Sequence, residues 1–181
     1  MIPIFLLGEE RDAALRLPLC RVLERYGGVV HICGAHAAQY AMGPARFFIY
    51  EASRLESIQA EQAILIFKTR QAAASHPLAL SAGVVSILET ENEAAARALL
   101  HSGATALTCG LTARDTLTLS SISDINPVVS IQRAITAFDG LTLEPCEKRI
   151  ALRAPLSGYA LLSVCAVLLL TGQASENVLE L

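Results

Sequence analysis

The sequence is short of aromatic and charged residues. It contains no tryptophan, only 5% of its 181 residues are aromatic, and charged residues make up 17%, whereas soluble domains usually carry about 25%. A core of Ala, Leu, Ile and Val is therefore predicted. The low charge suggests that a second copy or another protein covers part of the surface. A compact parallel sheet covered on both faces would raise the apolar share in the same way.

Other absences exclude whole classes of protein. The net charge is −3, and Lys and Arg are scattered singly, so no basic face for nucleic acid is predicted. The cysteines form no C-x-x-C pair, which argues against a disulfide framework and a zinc ribbon. There are five of them: Cys20, Cys33, Cys109, Cys146 and Cys165.

Neither a membrane segment nor a signal peptide is expected. The longest apolar run, Tyr159–Thr171, is shorter than the roughly 20 residues that a membrane helix needs. The N-terminal segment MIPIFLLGEERD has no basic region and becomes acidic after its apolar run, unlike a signal peptide. Most cysteines lie inside apolar runs, which is typical of core thiols in a reducing compartment. We therefore expect a cytoplasmic protein.

Short apolar runs alternate with helical patterns in the first part of the chain. The predicted strands are Ile2–Leu7, Val29–Cys33, Phe47–Tyr50, Ala63–Phe67, Val84–Leu88 and Ala104–Cys109. A helix is predicted at Asp12–Tyr26, kinked at Pro18 or starting there, and another at Glu91–His101 with Thr90 as its N-cap. An Ala-rich segment, Ala35–Met42, follows the second strand. This order is typical of a mostly parallel sheet with helices on both faces.

The pattern changes after residue 113. Polar and apolar residues alternate in Thr116–Ile122, Val128–Ile135 and Arg149–Arg153, which predicts a small antiparallel three-stranded flap. A buried helix, Ser157–Leu170, ends before Gly172. We predict one Rossmann-like or P-loop-NTPase-like α/β domain over residues 1–181. Its parallel part covers 1–113, its flap 114–154, and its closing helix and tail 155–181.

This order of elements resembles the central, ATP-binding domain of the Mur ligases, which join amino acids to UDP-MurNAc in peptidoglycan synthesis. The segment IFLLGEERDAALRLPLCRVLERYGG stands where that family has a strand, a phosphate loop and a helix. RFFIYEAS is similar to the family strand whose Glu, here Glu51, helps to hold magnesium. LSGYALLSVCAVLLLTG is similar to the last helix of the domain. The resemblance implies the same fold over roughly Ile2–Gly172.

The residues that would hold a phosphate differ from the family pattern. A phosphate loop uses several glycines, a Lys for the phosphate charge, and a Ser or Thr for magnesium. The turn after the first strand, Gly8–Asp12, has one Gly, no Lys and three acidic residues. The polar catalytic segment expected after AILIF is replaced by Lys68, Thr69 and Arg70. ATP-driven ligation is therefore not expected, and no cofactor is predicted.

Candidate ligand-binding residues lie where strands end, because ligands of open α/β sheets bind at that edge. They are Gly8, Glu51, Lys68, Arg70 and Arg114. For the basic residues the plain alternative is solvated loop charge, and for Glu51 it is a carboxylate that caps a turn. His31, Cys33 and His36 form H-x-C-x-x-H and are secondary metal candidates. A structural role is expected for these three, and no metal site is predicted.

Two functions stay open at this point. The first is a non-catalytic Mur-ligase-like binding or assembly module, acting as a homodimer or beside a protein partner. The second is a nucleotide- or small-anion-binding enzyme that uses Glu51, Lys68 and Arg70 at the C-terminal edge of the sheet. ATP and magnesium would be cofactors under this second hypothesis only.

Overall fold

The computed structural model describes residues 1–10, 12–40, 43–69, 77–121, 126–174 and 178–181. It divides the chain into two compact units, Met1–Ala106 and Leu107–Leu181. Within the described part of the chain, no helix is long and apolar enough to cross a membrane. The predicted fold class, a mostly parallel α/β sheet with an antiparallel part near the C-terminus, is confirmed.

The first unit is built on a mainly parallel sheet. Its described elements are β1 (Ile2–Leu7), α1 (Arg16–Leu23), β2 (Gly28–Cys33), β3 (His36–Tyr40), β4 (Ala45–Ala52), β5 (Ser57–Ile58), β6 (Ala63–Phe67), β7 (Ala79–Leu80), β8 (Val84–Glu89) and α2 (Glu93–Leu99). The sheet order is β3-β2-β4-β1-β6-β8, and β5 pairs with β7 separately. Among these six strands the neighbouring pairs are parallel, except that β2 and β3 are antiparallel.

Helices cover both faces of this sheet, which explains why its strands are continuous apolar runs. On one face, α2 packs on a core cluster that includes Leu7, Leu65 and Phe67. On the other face, Leu6 is paired with Glu51, and Glu51 contacts Arg16 at the start of α1. Because neither face of β1 or β6 is open to solvent, these strands do not alternate between polar and apolar residues.

Residues His36–Tyr40 of the Ala-rich segment form the strand β3. The sequence pattern predicted neither a helix nor a strand there. β3 pairs antiparallel with β2 along His36–Tyr40. Gly34 makes the tight turn with a φ of 54°, a left-handed conformation that glycine adopts without strain. Alanine has a low strand propensity, so the pairing with β2 sets the conformation of this edge strand.

Both early helices differ from their predicted bounds. α1 starts at Arg16, between the two predicted starts at Asp12 and Pro18, which places Pro18 in its first turn, where no intrahelical N–H is lost. The carbonyl of Asp12, which a helix starting there would use internally, accepts from the Lys68 ammonium. α2 is capped by Asn92 rather than Thr90, because the Asn92 side chain accepts from the backbone N–H of Ala95.

The second unit contains the antiparallel part. Its elements are β9 (Thr105–Gly110), which begins at the unit boundary, β10 (Leu117–Ser121), β11 (Val128–Ile131), β12 (Ile135–Thr136), β13 (Thr142–Leu143), β14 (Cys146–Ala151), α3 (Gly158–Leu170) and β15 (Val178–Glu180). β10 and β14 both pair antiparallel with β11, which confirms the three-stranded flap. The predicted strand Val128–Ile135 is shorter in the structure, and β12 forms a separate hairpin with β13. α3 is almost entirely buried and capped by Ser157.

Candidate functional site

A buried carboxylate, Glu51, is the centre of the candidate site. It lies near the end of β4 with 1% of its surface exposed. Its Oε1 atom forms an ion pair with Arg16 Nε at 2.9 Å and a hydrogen bond with His31 Nε2 at 2.6 Å. Its Oε2 atom accepts from the Lys68 ammonium. A buried charge is costly unless it is paired and hydrogen-bonded, and Glu51 meets both conditions. We call these four residues the Glu51 cluster.

Strand order brings the cluster together. β1 is flanked by β4 on one side and β6 on the other. All three strands run parallel, so their carboxyl ends reach the same edge of the sheet. Leu6 of β1 is level with Glu51, and Leu7 is level with Phe67, the residue before Lys68. Glu51 and Lys68 therefore meet across the end of β1.

Lys68 also closes the turn that follows β1. Its Nζ atom donates to the carbonyl oxygens of Glu9 at 2.8 Å and of Asp12 at 2.9 Å. With Glu51 as the third acceptor, all three donors of the ammonium are used. Only 1% of the Lys68 surface is exposed. We call the described residues that follow β1, namely Gly8, Glu9, Glu10 and Asp12, the corner. The corner is thus filled by a side chain of the protein itself.

The corner has the opposite polarity from a phosphate loop. Phosphate loops and helix N-termini direct backbone N–H groups at the anion. Here two backbone carbonyl oxygens point at a cation. Gly8 has a φ of 147°, which favours glycine, and its N–H donates to the carbonyl oxygen of Ala52. This corner is arranged to hold an ammonium.

The structure brings together some of the predicted site residues and not others. Glu51 and Lys68 are in direct contact, with Gly8 between their strands. Arg114 lies in the second unit, on the turn between β9 and β10, with an exposed side chain. Its carbonyl oxygen accepts from Arg133. Arg70 lies outside the described residues.

The secondary metal candidates are split between two roles. His31 is bound to Glu51, whereas Cys33 and His36 face each other across the β2–β3 hairpin. Burial, followed by the negative charges of Glu51 and Glu10, raises the pKa of the Cys33 thiol. Among the residues that the structure describes, no three His, Cys, Asp or Glu side chains are grouped to hold a metal ion.

Arg16 is the cluster member that sequence reasoning missed. It lay inside the predicted helix Asp12–Tyr26 as one basic residue among several. A cation just after the first βα turn lies near the carboxyl ends of the strands. This position in the sequence is the signal that could have identified Arg16. To link Arg16 to Glu51, however, one must also know that β4 lies next to β1.

Comparisons in sequence identify no relative of this chain. No family model matches it, and no curated protein sequence matches it either.

Comparison of structures gives clear matches. One solved structure, a UDP-N-acetylmuramoyl-L-alanyl-D-glutamate–2,6-diaminopimelate ligase, matches 97% of this chain with a TM-score of 0.51 and 10% sequence identity. A second, the MurF ligase from Thermotoga maritima in complex with ADP, also matches 97%, with a TM-score of 0.50 and 12% identity. The chain covers 44% and 46% of these two proteins. This chain therefore has a Mur ligase-like fold, over less than half of the length of either ligase.

Proposed function

We propose that this protein is a non-catalytic binding or assembly module with a Mur ligase-like fold. In this proposal the ion pair of Lys68 with Glu51 closes the corner to nucleotides. The observation that carries the proposal is the Lys68 ammonium, which is buried and bound to Glu51, Glu9 and Asp12. A phosphate group in this corner would have to displace it.

The energetic cost of that displacement supports the proposal. Removing one partner from a buried ion pair costs about 3–5 kcal/mol. A nucleotide that opened the corner would lose roughly two to four orders of magnitude in affinity, at about 1.4 kcal/mol per tenfold. Glu9 and Glu10, two exposed residues of the corner, add repulsion of about 1–4 kcal/mol for each carboxylate about 4 Å from a phosphate.

An assembly role is supported by the composition of the chain. Charged residues make up 17% of the sequence, which is low for a freely exposed surface. The partner that we propose is a second copy of the chain or a ligase of peptidoglycan synthesis in the cytoplasm. Size-exclusion chromatography with light scattering tests the first partner, and co-elution with the diaminopimelate-adding ligase tests the second.

Calorimetric titration with ATP–Mg²⁺ and ADP tests the nucleotide part of the proposal. We expect no heat of binding at millimolar nucleotide, because the corner offers carbonyl oxygens and a fully bonded ammonium. The Thermotoga maritima MurF ligase, solved with ADP, serves as the positive control under the same conditions. Saturable binding of ATP–Mg²⁺ with a Kd below about 0.1 mM, or about 5.5 kcal/mol, would contradict the proposal.

Small-anion binding at the same edge of the sheet is a second candidate function. The observation that favours it is Arg16, whose guanidinium is held in place by Glu51 and remains partly exposed. This candidate does not need Lys68 to leave the corner.

A further inference from the structure

A small polar pocket lies beside the Glu51 cluster. Its volume is about 280 Å³, slightly below the usual range of about 300–1,000 Å³ for ligand pockets. Charged and polar side chains dominate its wall: Glu10, Arg16, His31, Cys33, His36 and Tyr40. They come from the start of α1, the β1–α1 turn and the β2–β3 hairpin. The pocket therefore fits a ligand smaller than a nucleotide.

Arg16 supplies a fixed cation in this wall. Its Nε atom is bound to the buried carboxylate of Glu51 at 2.9 Å, and 23% of its side chain is exposed. Its two terminal nitrogens make no hydrogen bond to any residue that the structure describes. A guanidinium donates well to a planar carboxylate. Because Glu51 holds the side chain already, little conformational entropy is lost when a ligand binds.

Two further groups in the pocket can donate to the same ligand. The side chains of His36 and Tyr40 form no hydrogen bond to the described part of the chain, and both come from β3. Tyr40 lies against His31, with their ring centroids 6.4 Å apart. An imidazole and a phenol are ordinary hydrogen-bond donors to carboxylate oxygens.

The charges around the pocket favour a ligand with one negative charge over a ligand with two. The positive charges of Arg16 and Lys68 stand against the negative charges of Glu51 and Glu10. A dianionic phosphate would leave two uncompensated charges in the pocket, whereas a carboxylate leaves one. We propose that this pocket binds a small organic monocarboxylate, with its carboxylate on Arg16. This inference rests on the second candidate function, small-anion binding. Its ligand contacts Arg16 and not Lys68, so propionate binding can succeed or fail whatever the outcome of the nucleotide titration.

Titration with propionate, followed by ¹H–¹⁵N NMR of the full chain at constant ionic strength, tests this inference. We expect a Kd in the range of about 1–10 mM, with shifts in the Arg16 Nε resonance and in residues 31–40. Propionamide, the uncharged analogue, and inorganic phosphate should each bind at least about tenfold more weakly. Equal or tighter binding of phosphate would overturn the monocarboxylate assignment.

Three variants locate the site. Arg16→Lys keeps the charge but loses the guanidinium and should weaken propionate binding about tenfold. His36→Ala removes an exposed side chain and should weaken it about threefold, roughly the loss of one hydrogen bond. Arg21→Gln, an exposed residue of the same helix, is the matched control and should bind as the unmodified chain does.

If Arg16→Lys disturbs the Glu51 cluster, His36→Ala still tests the pocket, because His36 makes no contact with Glu51. No propionate binding at about 50 mM, five times the weakest expected Kd, would overturn the inference. Binding that is unchanged in His36→Ala and in a folded Arg16→Lys variant would overturn it as well.

Discussion

At the scale of single residues, Lys68 dominates the behaviour of the site. Its ammonium donates to one carboxylate oxygen of Glu51 and to the backbone carbonyl oxygens of Glu9 and Asp12. The same lysine has two roles. It binds the carbonyl oxygen of Asp12 in the segment that precedes α1, and it fills the corner where a phosphate would lie.

We predict that Lys68→Met lowers the free energy of unfolding by about 3–5 kcal/mol, because it leaves Glu51 with one buried oxygen unpaired. Urea unfolding measures the change. Arg54→Met is the control, since its ion pair with Glu56 is exposed and such pairs contribute about 0–1 kcal/mol. In the double variant Lys68→Met/Glu51→Gln the losses should not add, because the two side chains form one interaction. Additive losses would show that the pair is not coupled.

At the scale of elements, side chains next to α2 and α3 in the sequence cap these two helices. Ser157 precedes α3, and its hydroxyl oxygen accepts from the N–H of Ala160 at 3.3 Å. The interior of α3 is almost completely buried, so packing stabilises most of the helix and the cap adds a local contribution.

Ser157→Ala should lower the free energy of unfolding by about 1 kcal/mol, the usual effect of losing an N-cap oxygen. Ser157→Asp should stay within about 0.5 kcal/mol of the unmodified protein, because aspartate caps as well as serine. Thermal and urea unfolding of the three proteins measure this. Equal losses in both variants would indicate that packing of the serine, rather than capping, stabilises the first turn.

Elements with one dominant local signal could be predicted from the sequence. β1 and β6 match their predicted ranges, since a buried parallel strand is a continuous apolar run that stops at a turn. β3 could not be predicted, because Ala37, Ala38 and their neighbours carry no strand pattern and depend on pairing with β2. The contact of Asp12 with Lys68 could not be predicted either, because Lys68 lies 56 residues further along the chain.

The candidate site was only partly predictable for the same reason. Strand-end carboxylates and cations can be found in the sequence, and parallel strands bring their carboxyl ends to one edge. The sequence does not reveal strand order, so it cannot tell that Glu51 and Lys68 flank the same strand. It also cannot show that Arg16 and His31 share one oxygen of Glu51.

At the scale of the whole molecule, buried thiols couple stability to alkaline pH. Burial raises the pKa of Cys165 from 9.0 to about 12. Burial is also the main cause that raises the pKa of Cys20, to about 11, although the charge of Arg16 acts in the opposite direction. Both thiols are free. The folded chain therefore holds two protons more tightly than the unfolded chain does.

The sign of the effect follows from that difference. Above pH 9 the unfolded thiols lose their protons while the folded ones keep them, so stability falls as pH rises from about 9 towards 11 for Cys20 and towards 12 for Cys165. Each pKa unit corresponds to about 1.4 kcal/mol. Cys165→Ala should remove its share of this slope, so its free energy of unfolding should decline less between pH 9 and pH 11 than that of the unmodified chain.

Urea unfolding at several pH values separates this effect from packing. The small cavity left by Cys165→Ala lowers stability by the same amount at every pH, whereas the titration changes the slope. The exposed variant Arg54→Met is a control that should run parallel to the unmodified chain, because it alters no buried thiol. Parallel curves for Cys165→Ala and the unmodified chain would mean that this thiol ionises as readily in the folded protein as in the unfolded one, and that the interior around α3 is accessible to water.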